Sequence, residues 1–173
     1  MAIKGQSYTK TQWIFEERPV SSAKLNQWDD RIEAALEMAF FLLNQAWGGG
    51  SGVLRGVSAG TLAVTPDSPE SMSVIVDGGY AFVESYPFRL TEASAVAAIV
   101  PPTSLGRIDL VLTDLSTWGI VVKKGLESAS PVAPDVGAGT MALAELVLRP
   151  GMSSIRSIDD GVNGYITDVR TFL

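Results

Sequence analysis

The stretch Ser22 to Trp47, SAKLNQWDDRIEAALEMAFFLLNQAW, constrains this chain more than any other. Its apolar residues Leu25, Trp28, Ile32, Ala35, Ala39, Leu42 and Ala46 alternate in steps of three and four, and Leu36, Phe40 and Leu43 widen the stripe. The spacing predicts one long amphipathic helix over 22–47. Such a seam suits self-association as a coiled coil, and the same pattern describes a helix lying on a globular core. Burying about seven such side chains, at roughly 1.5 to 3 kcal/mol each and less for alanine, rivals the whole net stability of a domain. The helix therefore needs a partner surface. Ser21 or Ser22 is placed to cap it by accepting a hydrogen bond from an early amide, with Asp29 and Asp30 on the polar face. Trp28 is bulky and its indole N–H needs an acceptor, which a bundle of more than two strands accommodates more easily.

Upstream, residues 1–21 carry no helical period, and Pro19 biases Arg18 away from helix, so an extended arm is expected there. Tyr8, Trp13, Ile14 and Phe15 give that arm large anchors for a partner's groove or sheet edge; folding back onto its own chain is the alternative. Downstream, Gly48-Gly49-Gly50-Ser51-Gly52 stops the helix and reads as a flexible joint over 48–52. It follows a helix instead of opening one and lacks the spacing of a phosphate-binding loop.

From Val53 to Leu173 the character changes to short β-branched runs. Expected strands are Val53 to Val57, Thr61 to Thr65, Met72 to Val76, Tyr80 to Val83, Ala95 to Val100, Ile108 to Thr113, Gly119 to Lys123 and Ala142 to Leu148. Separators such as Asp77-Gly78-Gly79, Pro101-Pro102 and Pro150-Gly151 lie between them, and Ser128 to Thr140, rich in Pro, Ala and Gly, reads as a surface loop. The expected fold is α+β: arm, long helix, glycine joint, then a mainly antiparallel sandwich or barrel over 53–173.

The order of these runs resembles a recurring domain of tailed-bacteriophage fibre and baseplate proteins. The likeness runs through Ser71-Met72-Ser73-Val74-Ile75-Val76-Asp77-Gly78-Gly79-Tyr80-Ala81-Phe82-Val83, similar to a strand, glycine turn and second strand. It continues through Arg107-Ile108-Asp109-Leu110-Val111-Leu112, similar to a central arginine-x-aspartate strand, and Gly125 before the Pro-rich loop. Ala142 to Leu148 followed by Pro150-Gly151, and Asp168-Val169-Arg170, close the pattern. The resemblance implies a virion structural protein, trimeric, that attaches fibres or builds a tail, baseplate, collar or head fibre and is made in the host cytoplasm. Longer relatives continue into a receptor-binding tip, so a chain that stops at Leu173 is expected to act as an adaptor or short fibre.

The chemistry available is narrow. There are 0 cysteines and 0 histidines, which removes thiolate, imidazole and ordinary zinc chemistry. A formal charge of −6, with no Lys/Arg cluster, argues against nucleic acid and membrane surfaces as partners. The N-terminus has no apolar signal core, and AALEMAFFLL is too short to span a bilayer, so synthesis in a reducing cytosol is expected. Asp159-Asp160-Gly161-Val162-Asn163-Gly164 has calcium-loop composition without the spacing or closing Glu, and reads as a turn of solvated acids. Arg107 and Asp109 share a strand face and suit a structural ion pair. Glu145, inside an apolar strand, needs solvent or a basic partner. No enzyme, cofactor or metal is expected. The rival from another class is a carbohydrate-binding module for the host surface, with Tyr80, Tyr86, Phe88 and Trp118 as a stacking platform; aromatics at strand positions are more often core or interface.

Overall fold

The computed structural model describes residues 21–55, 60–96 and 99–173. These fall into two compact units that divide after Gly49, a helical one and a β one.

The helix, α1, runs Ser22–Ala46. Its interior holds no glycine or proline and one β-branched residue, Ile32. Ser21 is the N-cap: its backbone is extended (φ −72°, ψ 145°) and its Oγ accepts from Lys24 N at 3.3 Å. The other end closes as a Schellman motif, with Gly48 N donating to Gln45 O at 3.1 Å and Gly49 N to Asn44 O at 2.9 Å. Gly48, Gly49 and Gly50 all have positive φ, of 96°, 77° and 84°, which side-chain-bearing residues resist. The first three glycines of the expected joint thus all take left-handed backbone conformations.

The described residues of the β unit form eleven strands: β1 Gly52–Val53, β2 Val64–Pro66, β3 Val74–Val76, β4 Gly79–Val83, β5 Tyr86–Leu90, β6 Ser94–Val96, β7 Arg107–Asp114, β8 Gly119–Lys123, β9 Thr140–Leu148, β10 Ile155–Arg156 and β11 Gly164–Asp168. They form three sheets in the orders β1-β4-β5, β2-β3-β6 and β10-β11-β9-β7-β8. Pairing is antiparallel except between β10 and β11. Among the described residues no sheet closes on itself, so the barrel half of the sequence expectation is corrected to open sheets. β7 and β8 pair as a hairpin, with β11, β9 and β7 as the inner strands of their sheet and β8 at its edge.

The core draws on all three sheets. Val53, Leu62, Val74, Val76, Val83, Val111, Leu143, Leu146, Leu148 and Ile155 are wholly buried, and Phe88 almost so. In β9 the alternation of inward and outward residues slips at Leu143 and Ala144, which are both buried. The cause is a bulge: Val111 pairs with Ala144 and Leu112 with Ala142, leaving Leu143 as the extra residue. Glu145 is thereby on the half-exposed side of the strand, where its charge meets solvent.

The C-terminal residues are stitched into β1. Val53 N donates to Thr171 O at 2.8 Å and Leu173 N to Val53 O at 3.0 Å. The Phe172 ring lies under two guanidinium groups, Arg55 at 4.5 Å and Arg170 at 5.1 Å.

Candidate functional site

Two features stand out by their physics: the exposed face of α1 and a buried charge network at the start of β7.

At about 100° per residue, Leu25, Trp28, Ile32, Leu36 and Leu43 fall within about 80° of one another on α1. All are exposed, Leu36 by 49% and Leu43 by 46%. Leu42 and Ala39 on the stripe are exposed as well, while Ala35 is half-buried. The apolar surface extends beyond the expected seam: Met38 and Phe41 are exposed too, and Phe41 lies on the far side from Leu25 and Leu43. Sequence periodicity did not single these two out, because they break the three-four spacing. The expected docking residues Tyr8, Trp13, Ile14 and Phe15 lie outside the described residues. Among the described residues the expected seam is thus an exposed apolar face of α1.

The second feature unites three residues that the sequence pattern set apart. Arg107 and Asp109, each 2% exposed, sit two apart on the same face of β7 and meet as a bidentate pair. Arg107 Nε reaches Asp109 Oδ1 at 2.7 Å and Nη2 reaches Oδ2 at 2.9 Å. Asp109 Oδ1 also accepts from Gly125 N at 2.9 Å, and Arg107 Nη2 donates to Val100 O at 2.6 Å. Gly125 is required here: a Cβ on it would collide with the Ile108 carbonyl oxygen. The pair thus pins two loops, one before β7 and one after β8, to the strand between them. Its remaining donor, Arg107 Nη1, has no hydrogen-bond partner among the described residues and lies 4.0 Å from Glu127 Oε1.

Glu127 caps the loop ahead of β7. Its carboxylate accepts from the backbone amides of Thr103 at 3.0 Å, Ser104 at 3.0 Å and Leu105 at 3.4 Å, and from the Thr103 hydroxyl. These donors, the Thr103 amide first, stabilise the charged form and hold the carboxyl down to about 2.

At the other end of the pattern, Arg170 grips Asp168 through Nε at 2.8 Å and Nη2 at 2.6 Å, and its Nη1 donates to Thr61 O at 2.7 Å. The fork joins the end of β11 to the segment ahead of β2.

The acid-rich turn is taken up internally. Asp159 pairs with Arg149 at 2.8 Å and Asp160 with Arg156 at 3.1 Å, while Gly161, Val162 and Asn163 amides donate to the two carboxylates. Asp160 is held well below the usual range, chiefly by the Asn163 side chain. Among the described residues no group of three His, Cys, Asp or Glu side chains is placed to hold a metal ion. The four-ring stacking platform is corrected. Phe88 is a core residue at 1% exposure, and Tyr80 lies beneath the Arg89 guanidinium at 5.4 Å, so Tyr86 and Trp118 are the two well-exposed rings of the set. No helix among the described residues is long and apolar enough to cross a membrane.

No family model, curated protein or solved structure matches the chain.

Two outcomes follow from the network. Asp109→Ala strands a buried guanidinium and is expected to cost about 3 to 5 kcal/mol, read from the urea midpoint, whereas Arg107→Met with Asp109→Leu costs clearly less. Because the Glu127 carboxyl is depressed in the fold, its contribution is full above its ordinary value near 4.5 and fades as pH falls toward about 2. Glu127→Gln is expected to flatten the acid-unfolding curve across that window, and less so at high salt, where this exposed group is screened.

Proposed function

We propose that this chain is a structural virion protein of a tailed bacteriophage, a fibre or baseplate component or adaptor that works by assembly and carries no catalysis. In this reading the three sheets pack as a sandwich, α1 self-associates as a coiled-coil-like bundle of a homotrimer, and the N-terminal arm docks onto a neighbouring chain of the particle.

The observation that carries the reading is the exposed apolar face of α1. Leu25, Trp28, Ile32, Leu36 and Leu43 are each between 36% and 49% exposed. Completing the burial of such half-exposed side chains is worth on the order of 1 kcal/mol apiece. Association costs roughly 4 to 15 kcal/mol, so one such contact is too little and a seam repeated on every copy is enough.

The resemblance in the β unit supports the same assignment. Its arginine-x-aspartate pair and Gly125, separate in the sequence, share one buried network. The carbohydrate-binding alternative draws on Tyr86 and Trp118 and leaves the helical face without a purpose. Assembly accounts for more of the molecule.

Leu36→Asp with Leu43→Asp places charge in the seam, and light scattering is expected to report monomers, or the chain to become insoluble; an undisturbed oligomer contradicts the bundle. A chain lacking residues 1–20 is expected to keep its circular-dichroism spectrum and to be lost from assembled particles. Normal incorporation of that chain contradicts the arm's role.

A further inference from the structure

Beside the end of β8 lies an open groove of about 500 Å³. One wall is Lys123 to Leu126. It is held against β7, since Gly125 N donates to Asp109 Oδ1 and Ser128 N to Gly106 O, both at 2.9 Å. The other wall is Val132 to Asp135, stiffened by Pro131 and Pro134 and tied across by Lys123 Nζ donating to Asp135 O at 2.7 Å. Leu126 and Val132 both line the groove, at 84% and 75% exposure, among the most exposed large apolar residues of the described chain. Among the described residues the amides of Leu126, Val132 and Ala133 donate no hydrogen bond. Apolar walls with free backbone donors are what an extended peptide requires: main-chain bonds supply affinity and side-chain pockets supply choice. Two lysines, Lys123 and Lys124, stand at the lip against one acid, Asp135, so the favoured peptide follows its apolar residues with negative charge.

The chain contains such a segment: Trp13-Ile14-Phe15-Glu16-Glu17 places three large apolar residues directly before two glutamates. The groove has room for about two or three large side chains, and aromatic anchors bury about 150 to 250 Å² each. We propose that this arm segment of one copy docks in the groove on the β unit of a second copy. The proposal rests on the reading of the arm as a docking element and names its receiver. A contact between unlike surfaces on identical chains either closes into a ring or runs on as a filament. A cyclic bundle of α1 helices closes it.

The chain has 0 cysteines, so single thiols report the contact without background. Full-length Ile14→Cys and Val132→Cys chains are co-expressed, purified under reduction and mildly oxidised. Products are identified by peptide mass, and Ile158→Cys, at 78% exposure, serves as the control partner. A docked arm holds its thiol at high effective concentration, so the Ile14–Val132 mixed disulfide is expected about tenfold or more above the Ile14–Ile158 product. Lys124→Glu is expected to lower that yield several-fold. Equal yields with both partners, or a dominant Ile14–Ile14 product, overturn the proposal. Light scattering on the same samples separates the two readings: an oligomer without the mixed disulfide overturns the arm contact alone, and a monomer overturns the helical bundle.

Discussion

A 25-residue helix that leaves Leu25, Ile32, Leu36 and Leu43 in water is the constraint on which the rest of the account turns. Apolar surface of that extent on one stripe is costly to leave solvated, and an isolated helix gains little from propensity alone. Its caps fix where it begins and ends: Ser21 takes up an early amide, and the Gly48–Gly49 turn takes up the last carbonyls. Neither cap addresses the stripe. The proposed bundle does, by giving every copy the same complementary surface.

The β unit has a core of its own by contrast. Its three sheets bury a continuous core, and its charged residues act as fasteners: Arg107 with Asp109 holds two loops on β7, Arg170 with Asp168 joins the end of β11 to Thr61, and Arg149 and Arg156 gather the acid-rich turn. A buried pair such as Arg107–Asp109 is weak evidence of net stability, because desolvation offsets its attraction. What it supplies is geometry. A hydrophobic pair of equal volume could not also receive the Gly125 amide and donate to the Val100 carbonyl.

Much of this was legible beforehand, for identifiable reasons. The helix was found within a residue because a three-four apolar period over seven positions competes with no other pattern. β7, β8 and β9 were found because β-branched runs bounded by Asp, Gly and Pro leave little choice. β5 was missed: Tyr86-Pro87-Phe88-Arg89-Leu90 contains a proline, and the turn before it uses Glu84 and Ser85 at positive φ, 51° and 78°, where glycine or asparagine is the usual signal. The β9 bulge escaped because nothing in Ala142-Leu143-Ala144 marks an extra residue until its partner strand is known. Which side of β5 Phe88 takes is not legible either, since strand periodicity gives alternation without saying which face is wet. The arm's anchors fall outside the described residues, and the groove that suits them comes from a loop the sequence marked only as surface.

The central claim, that α1 is completed by copies of itself, is tested most directly by sedimentation equilibrium of the unmodified chain over a wide concentration range. The account predicts a mass three times the 18.4 kDa of one chain, falling toward the monomer only on strong dilution. A mass of one chain at every concentration would contradict it.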